Sequence, residues 1–227
     1  MAVPEALAGI PGVRTAAQLG EPDPAGHLTV LPALAHLLPG GGLRRGTTVS
    51  VRGATSLVLA LLAAATRDGS WAAVTGLPEL GLAAAAELGV DLERIALVPH
   101  PGAEPVAVVS ALVDGFDLVV LGRSLADSVR PQLARRLAGR VRNRGSVLLA
   151  AGSWPGADLE LSVSGRRWHG LSADGHGHLR YRELVATSRG RGSAVRSRSV
   201  PLRLPEPGGA VGPAGRTDAR VFPARVR

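Results

Sequence analysis

The stretch that decides the fold is residues 41–65, GGLRRGTTVSVRGATSLVLALLAAA. Within it, residues 47–52 place Val49 and Val51 on one face, and this alternation predicts a β-strand. Gly53 interrupts the strand, and Thr55 or Ser56 can cap the helix that follows. Residues 57–65 are apolar on every side, so this helix should be buried. At about 12 residues it is too short to cross a membrane, which takes roughly 20.

A strand, a glycine turn and a helix N-terminus form the scaffold on which phosphate-binding loops are built. The loop itself departs from the P-loop pattern G-x-x-x-x-G-K-[ST], because the chain passes from Gly53 through Ala54 directly to Thr55 and Ser56. No other lysine can replace the missing one, since all 26 Lys plus Arg residues are arginine. The sequence therefore predicts only a degenerate remnant of the loop, formed by Gly53, Thr55 and Ser56.

Four motifs resemble the core of RecA-like ATPases, in the same order and with similar spacing. They are GGLRRG with VSVRG in residues 41–53, ELGVD in 87–91, DLVVL in 117–121 and RLAG in 136–139. Together they cover roughly residues 28–155. More narrowly, the chain is similar to the short RecA-like accessory proteins, the ImuA type, of damage-induced mutagenesis cassettes in high-GC bacteria.

The alternation of strands and helices along the first 155 residues is typical of an α/β fold. The RecA resemblance implies a mainly parallel sheet flanked by helices. The strand patterns after Pro155, which come without helices, resemble the antiparallel extension that completes a RecA sheet. We expect an N-terminal arm at residues 1–27, a RecA-like domain at 28–204 and a disordered basic tail at 205–227.

The resemblance also implies what the chain has lost. It places the catalytic glutamate of the family at Leu77 and the strand-end aspartate of the metal site at Gly122. The resemblance thus implies that three parts are missing together: the loop that holds the phosphates, the ligand of the metal ion and the base that activates water. We therefore expect a protein that is not an enzyme and that uses no cofactor or metal. His176 and His178, with Asp174 as the nearest acid, fit a hairpin turn better than a metal site.

The net charge of +8 is unevenly distributed. Residues 1–122 contain 6 Arg against 11 Asp plus Glu, whereas residues 123–227 contain 20 Arg against 7. A genome that favours arginine codons explains the choice of Arg over Lys, but it does not explain why the excess is confined to the second half. A polyanion or an acidic protein surface is the partner that this asymmetry indicates.

Three arginine groups are candidates for binding nucleic acid or a partner protein. The first lies on a helix predicted at residues 128–142 and just beyond it, where the alternative is a solvated helix face. The second group places guanidinium groups next to an indole, an arrangement that can bind phosphates and stack on a base. The alternative is that the indole simply covers an edge of the sheet. The third leads toward the tail. The residues are Arg135, Arg136, Arg140, Arg142 and Arg144; Arg166, Arg167 and Trp168; and Arg189, Arg191, Arg196 and Arg198.

The resemblance implies a non-catalytic adaptor in DNA-damage tolerance, acting in error-prone translesion synthesis. Its implied partners are the Y-family polymerase homologue and the error-prone replicative-type polymerase of the cassette, with RecA and DNA as further candidates. Two alternatives stay open: a weak ATPase that holds phosphates with Arg instead of Lys, and a modulator of RecA filaments. The chain has no cysteine and no visible secretory signal, so we expect a cytoplasmic protein without a membrane partner.

Overall fold

The computed structural model describes residues 26–172, 176–191 and 195–214. The strands are β1 His27–Leu28, β2 Leu43–Arg44, β3 Thr47–Arg52, β4 Ala72–Thr75, β5 Ile95–Val98, β6 Leu118–Leu121, β7 Val147–Ala150, β8 Leu159–Leu171, β9 Gly177–Gly190, β10 Arg198–Arg203 and β11 Gly212–Pro213. The α-helices are α1 Pro32–Ala35, α2 Thr55–Arg67, α3 Leu82–Glu87, α4 Pro105–Gly115, α5 Arg123–Ser128 and α6 Pro131–Arg144, with short 3-10 helices at Pro39–Gly41 and Leu92–Arg94.

Nine of these strands form one mixed sheet in the order β11-β10-β9-β8-β3-β7-β6-β4-β5. The strands from β5 to β8 in this order are parallel, and β9, β10 and β11 continue the sheet in antiparallel fashion. The prediction of an α/β fold with a mainly parallel sheet and flanking helices is confirmed. The segment after β8 adds the antiparallel strands.

The two faces of the sheet are covered by separate helices. On one face α2 buries Leu57, Leu61 and Leu62 completely, in a core that also includes residues of α1 and α3. On the other face α4 and α6 contribute Val113 and Leu137, among others. A helix that is apolar all round needs this kind of buried position, because it has no polar face to turn to water.

Local pattern predicted β3 and β5 with their observed bounds, Thr47–Arg52 and Ile95–Val98. The prediction of a single helix at residues 128–142 was wrong. The chain instead forms α5 and, after Val129 and Arg130 in extended conformation, α6. Pro131 explains the break, since the residue before a proline is driven out of the helical region while proline itself suits the first helical turn.

The tail predicted from residue 205 begins later. The peptide N–H of Arg182 donates to the carbonyl of Pro205 at 3.2 Å, Val211 packs on the core, and Gly212–Pro213 pair with β10. Residues 215–227 lie outside the described residues. So does the predicted N-terminal arm, except Gly26 and His27, the second of which pairs with Arg44 in β2. In the part of the chain that the structure describes, no helix is both long and apolar enough to span a bilayer.

A candidate partner and nucleic-acid interface

The turn between β3 and α2 consists of Gly53 and Ala54 alone. Gly53 has φ 100°, a conformation that favours glycine, and a Cβ there would lie 2.9 Å from Nη2 of Arg166. Ala54 is the N-cap of α2 and the cap makes no side-chain hydrogen bond, so the predicted cap by Thr55 or Ser56 was wrong. The remnant of the loop is therefore too short to wrap a phosphate, and a guanidinium lies against it.

Arg182, from β9, contacts the first turn of α2. Its Nη2 donates a 2.5 Å hydrogen bond to Oγ of Ser56, and its Nε donates to the carbonyl of Leu204 at 3.0 Å. Its guanidinium also lies 5.2 Å from the ring centre of Trp168. Burial, and then the nearby charge of Arg166, lower the pKa of Arg182 below its ordinary value. Two cations thus share the N-terminal end of α2.

Arg182 was not among the predicted site residues, because its role depends on pairing in the sheet. In β8 and β9, Trp168 is opposite Arg182 and Arg167 is opposite Glu183. Directly opposed residues in an antiparallel pair share a face, and successive residues alternate. The predicted group of Arg166, Arg167 and Trp168 is therefore divided, with Arg167 on the opposite face from Trp168.

The face that carries Arg167 holds a compact polar network. The rings of His169 and Tyr181 are stacked, with centroids 4.5 Å apart and planes 6° from parallel. Glu183 lies 3.2 Å from both Nε2 of His169 and Nη2 of Arg203, and the Arg203 guanidinium also lies over Tyr181. These contacts fix this face of the strand pair internally.

The outer part of these two strands, which includes His169 and Tyr181, forms a hairpin whose residues are mostly exposed. We call residues 164–171 and 177–182 the β8–β9 arm. The predicted hairpin around His176 and His178 is confirmed by the pairing of Leu171 with Gly177, while Asp174 lies outside the described residues. Among the described residues, no three His, Asp or Glu side chains come together as a metal site would require.

The arginines of α6 do not form one uncompensated cluster. Arg140 makes two hydrogen bonds to the carboxylate of Asp114 in α4, and Nε of Arg144 donates to the same carboxylate at 3.0 Å. The bond from Arg140 lowers the pKa of Asp114, while burial acts in the opposite direction. Arg135, Arg136 and Arg142 are exposed and have no ion pair with any described residue. Among the described residues, these three α6 arginines keep their charge unpaired, whereas Arg140 and Arg144 share the carboxylate of Asp114.

The last predicted group is also mixed. Nη1 of Arg198 donates to the carbonyl of Leu38 at 2.7 Å, which ties β10 to the segment after α1. Arg189 is opposite Glu160 in the sheet. The backbone N–H of Arg191 makes a hydrogen bond that fixes the chain just after β9. Arg196 is exposed. Arg198 therefore has a structural contact within the described chain, and its role in binding stays a prediction.

The positions that the RecA resemblance assigns to the catalytic base and the metal anchor lie close together. Leu77 follows β4 and Gly122 follows β6, and the N–H of Gly122 donates to the carbonyl of Thr75 at 2.8 Å. A Cβ at Gly122 would lie 1.8 Å from the carbonyl oxygen of Gly76 and 3.0 Å from Cγ of Leu77. The backbone itself occupies the space that an aspartate side chain needs.

A second polar cluster, which the sequence did not reveal, lies before the amino ends of the parallel strands. Nη1 of Arg45 donates to Oδ1 of Asp117 at 2.9 Å, and Oδ2 of Asp117 accepts the N–H of Trp71 at 3.0 Å. The cavity beside them has a volume of about 320 Å³ and is also lined by Asp114 and Arg144. Its charges are paired, so the cluster ties together the segments that enter β3, β4 and β6.

Two comparisons place the chain among known proteins. The model of the MT3502 N-terminal domain family matches residues 36–156, just over half of the chain. The uncharacterized protein Rv3395c of Mycobacterium tuberculosis (strain ATCC 25618 / H37Rv) is 42% identical over 130 residues, which is 56% of this chain and 63% of the relative. The chain thus spans less than two thirds of that relative. The family match takes in the strands β3 to β7 and ends before β8 begins.

Proposed function

The chain belongs to the MT3502 N-terminal domain family, and from this premise we propose that it is a non-catalytic, RecA-like adaptor in DNA-damage tolerance. One observation carries the proposal: Arg182 hydrogen-bonds to Ser56 at the N-terminal turn of α2, where a P-loop would hold phosphates. The protein fills this place with its own guanidinium groups. A domain that lacks the loop needed to hold phosphates, yet keeps its strands and helices, can still serve by binding partners.

The strand order supports the RecA-like part of the proposal. One strand, β7, separates β3, which precedes the loop remnant, from β6, which precedes Gly122. This is the order of a RecA-like core, in which the loop strand and the metal-site strand are not neighbours. The proximity of Leu77 and Gly122 at the ends of adjacent strands supports the same register.

The adaptor acts in error-prone translesion synthesis in the cytoplasm. Its protein partners are the Y-family polymerase homologue and the error-prone replicative-type polymerase that accompany ImuA-type proteins. Its basic surface, which includes Arg135, Arg136, Arg166 and Arg167, contacts DNA or an acidic segment of a partner. The exposure of these side chains supports this assignment, since an exposed guanidinium is accessible to the phosphates or carboxylates of a partner.

A weak ATPase is the second candidate, and the same geometry favours it in one respect. Arg166 and Arg182 lie at the amino end of a 13-residue helix, where cations and helix dipole can together attract an anion. Catalysis would still need a base and a metal anchor, and Leu77 and Gly122 supply neither.

Calorimetric titration with Mg²⁺ and ATP separates the two candidates. The adaptor proposal expects no saturable binding with a dissociation constant below about 100 μM, equivalent to about −5.5 kcal/mol. Pull-down against the polymerase homologue and against RecA then separates the adaptor from a modulator of RecA filaments. ATP binding in the wild type that is lost in Ser56→Ala, together with failed pull-down of the polymerase homologue, would replace the adaptor with a nucleotide-dependent protein.

In cells, the double variant Thr55→Ala, Ser56→Ala should support damage-induced mutagenesis at the wild-type level if the protein accumulates. Deleting residues 215–227 should reduce it, because these residues contain Arg216, Arg220, Arg225 and Arg227. A longer deletion that starts at Arg189 is unsuitable, since it also removes β10 and β11. Normal mutagenesis after the deletion and none in the double variant would contradict the adaptor.

A further inference from the structure

The β8–β9 arm exposes large apolar side chains at its outer end. Trp168 is 46% exposed, Leu171 54% and Leu179 50%. Leu171 and Leu179 lie beyond the His169–Tyr181 pair, close to the end of the hairpin. Exposed apolar groups gathered on one element mark a surface that a partner covers, whereas scattered ones need no explanation.

The same arm is strongly basic. Arg166, Arg167 and Arg180 are exposed, and Arg182 lies at its base. Its described residues include no acid, and the adjacent Glu183 is already held by Arg203 and His169. The partner of the arm must therefore carry negative charge and also offer apolar surface.

Nucleic acid with exposed bases meets both requirements. Phosphates supply the charge, and bases supply flat apolar faces. The Arg182 guanidinium already lies over the Trp168 indole, and the exposed part of that ring can continue the stack with a base. Aliphatic side chains behave differently from Trp168: in nucleic-acid complexes they enter between base steps as wedges. Leu171 and Leu179, both exposed near the end of the hairpin, are the aliphatic side chains of the arm that can take this role.

We propose that the β8–β9 arm binds the junction between double-stranded and single-stranded nucleic acid, with Leu171 and Leu179 against the last base pair and Trp168 against an unpaired base. The inference rests on the DNA contact in the proposed function and names the form of DNA. Unstacking a base step inside a duplex costs free energy, and at a junction the bases beyond the duplex are already unstacked. The arm therefore distinguishes a junction from a blunt duplex without reading sequence.

Fluorescence anisotropy with the full chain and three labelled DNAs tests the proposal: a single strand, a blunt duplex and a duplex with a single-stranded overhang. The wild type should bind the overhang DNA about tenfold more tightly than the blunt duplex, a difference of about 1.4 kcal/mol. The variant Trp168→Ser should reduce the preference to within about twofold and keep the salt dependence, whereas Leu171→Ser, Leu179→Ser should weaken binding to the overhang DNA and the blunt duplex alike, because both present a last base pair. Arg166→Gln, Arg167→Gln should weaken binding to all three DNAs and flatten the salt dependence by about two phosphate contacts.

The matched control is Leu92→Ser, Leu97→Ser, which changes two leucines that are 40% and 41% exposed but lie far along the chain from the arm. It should bind all three DNAs as the wild type does. The inference is overturned if the wild type binds overhang and blunt DNA equally, or if the Trp168 variant keeps the preference. It is also overturned if the Leu171 and Leu179 variant binds all three DNAs as the wild type does but no longer binds vesicles of phosphatidylserine and phosphatidylcholine, because the arm would then contact membrane surfaces.

Failure of this inference and failure of the proposed function give different results. A wild type that binds none of the three DNAs at low salt overturns the junction proposal, while calorimetry and polymerase pull-down still test the adaptor. Conversely, ATP binding and failed pull-down contradict the adaptor and leave a measured junction preference standing.

Discussion

Arg182 and Ser56 are 126 positions apart in the chain, and the guanidinium of Arg182 donates a 2.5 Å hydrogen bond to the hydroxyl of Ser56. This contact joins the antiparallel extension to the helix that organises the core. Through the Leu204 carbonyl and the Trp168 ring, the same guanidinium also joins β9 to the end of β10 and to the β8–β9 arm.

Arg182→Met should therefore destabilise the fold, because a half-buried arginine with three contacts is replaced. The loss of two hydrogen bonds and a cation–π contact corresponds to about 1–2 kcal/mol, or a melting temperature lower by about 2–8 °C. Differential scanning calorimetry measures this. Arg180→Met is the matched control on the same strand, and it should melt within about 1 °C of the wild type because Arg180 is exposed. Equal melting of both variants would mean that Arg182 does not fasten the extension.

The α6 arginines should separate into two classes when DNA affinity is measured against salt. Arg135→Gln, Arg136→Gln removes two exposed charges and should reduce the slope of log K against log salt by about two. Arg140→Gln, Arg144→Gln should leave the slope nearly unchanged, since both guanidinium groups are bound to Asp114. An unaltered slope in the first variant would show that Arg135 and Arg136 belong to a solvated face.

Gly122 should be intolerant of any side chain. Gly122→Ala places a Cβ 1.8 Å from the Gly76 carbonyl oxygen, so the backbone must move, at a cost of about 1–3 kcal/mol or more. Gly139→Ala is the control, because a Cβ there meets nothing within 4 Å and the site is inside α6. That change should stabilise the protein by up to about 1 kcal/mol. Urea denaturation compares the two, and a stable Gly122→Asp variant would contradict the explanation for the lost aspartate.

The contact between α4 and α6 should depend on pH. Because Arg140 lowers the pKa of Asp114 from its ordinary value of 3.8, the folded state favours the carboxylate. The resulting stability is present above about pH 4 and is lost as the pH falls through the folded-state pKa. Asp114→Asn should melt about 1–3 °C below the wild type at pH 7, and the gap should narrow as the pH falls below 3.8. Glu79→Gln, on an exposed carboxylate, should show no such closing gap. A gap of constant size would assign the effect to packing.

The local sequence predicted the strands and helices well, but it predicted the positions of the site residues poorly. The reason is physical. The strand Thr47–Arg52 follows from its own alternation and from the glycine after it, which are short-range effects. The position of Arg182 depends on the register of two long strands, which shifts between Ser164 and Arg167. A shift of one residue would move its side chain to the other face. Such a register cannot be read from either strand alone.

The same limit explains the arginine predictions. Arg135 and Arg140 look alike in the sequence, and only the approach of α4, which brings Asp114 to Arg140, separates a structural cation from an available one. The break at Pro131, by contrast, was visible in the sequence, because proline restricts the residue before it.

The family match ends at residue 156, three positions before β8 begins. The family match thus covers strands β3 to β7, and β8, which pairs with β3 on its other side, lies beyond it. Because β8 pairs with β3 in parallel, both strands run to the same edge of the sheet, and β8 carries the β8–β9 arm to the side of the turn between β3 and α2. Strands β3 to β7 pair with one another without the arm, so the arm can be altered, or replaced by another hairpin, as a separate element. It is therefore the place at which the surface of this protein can be redesigned.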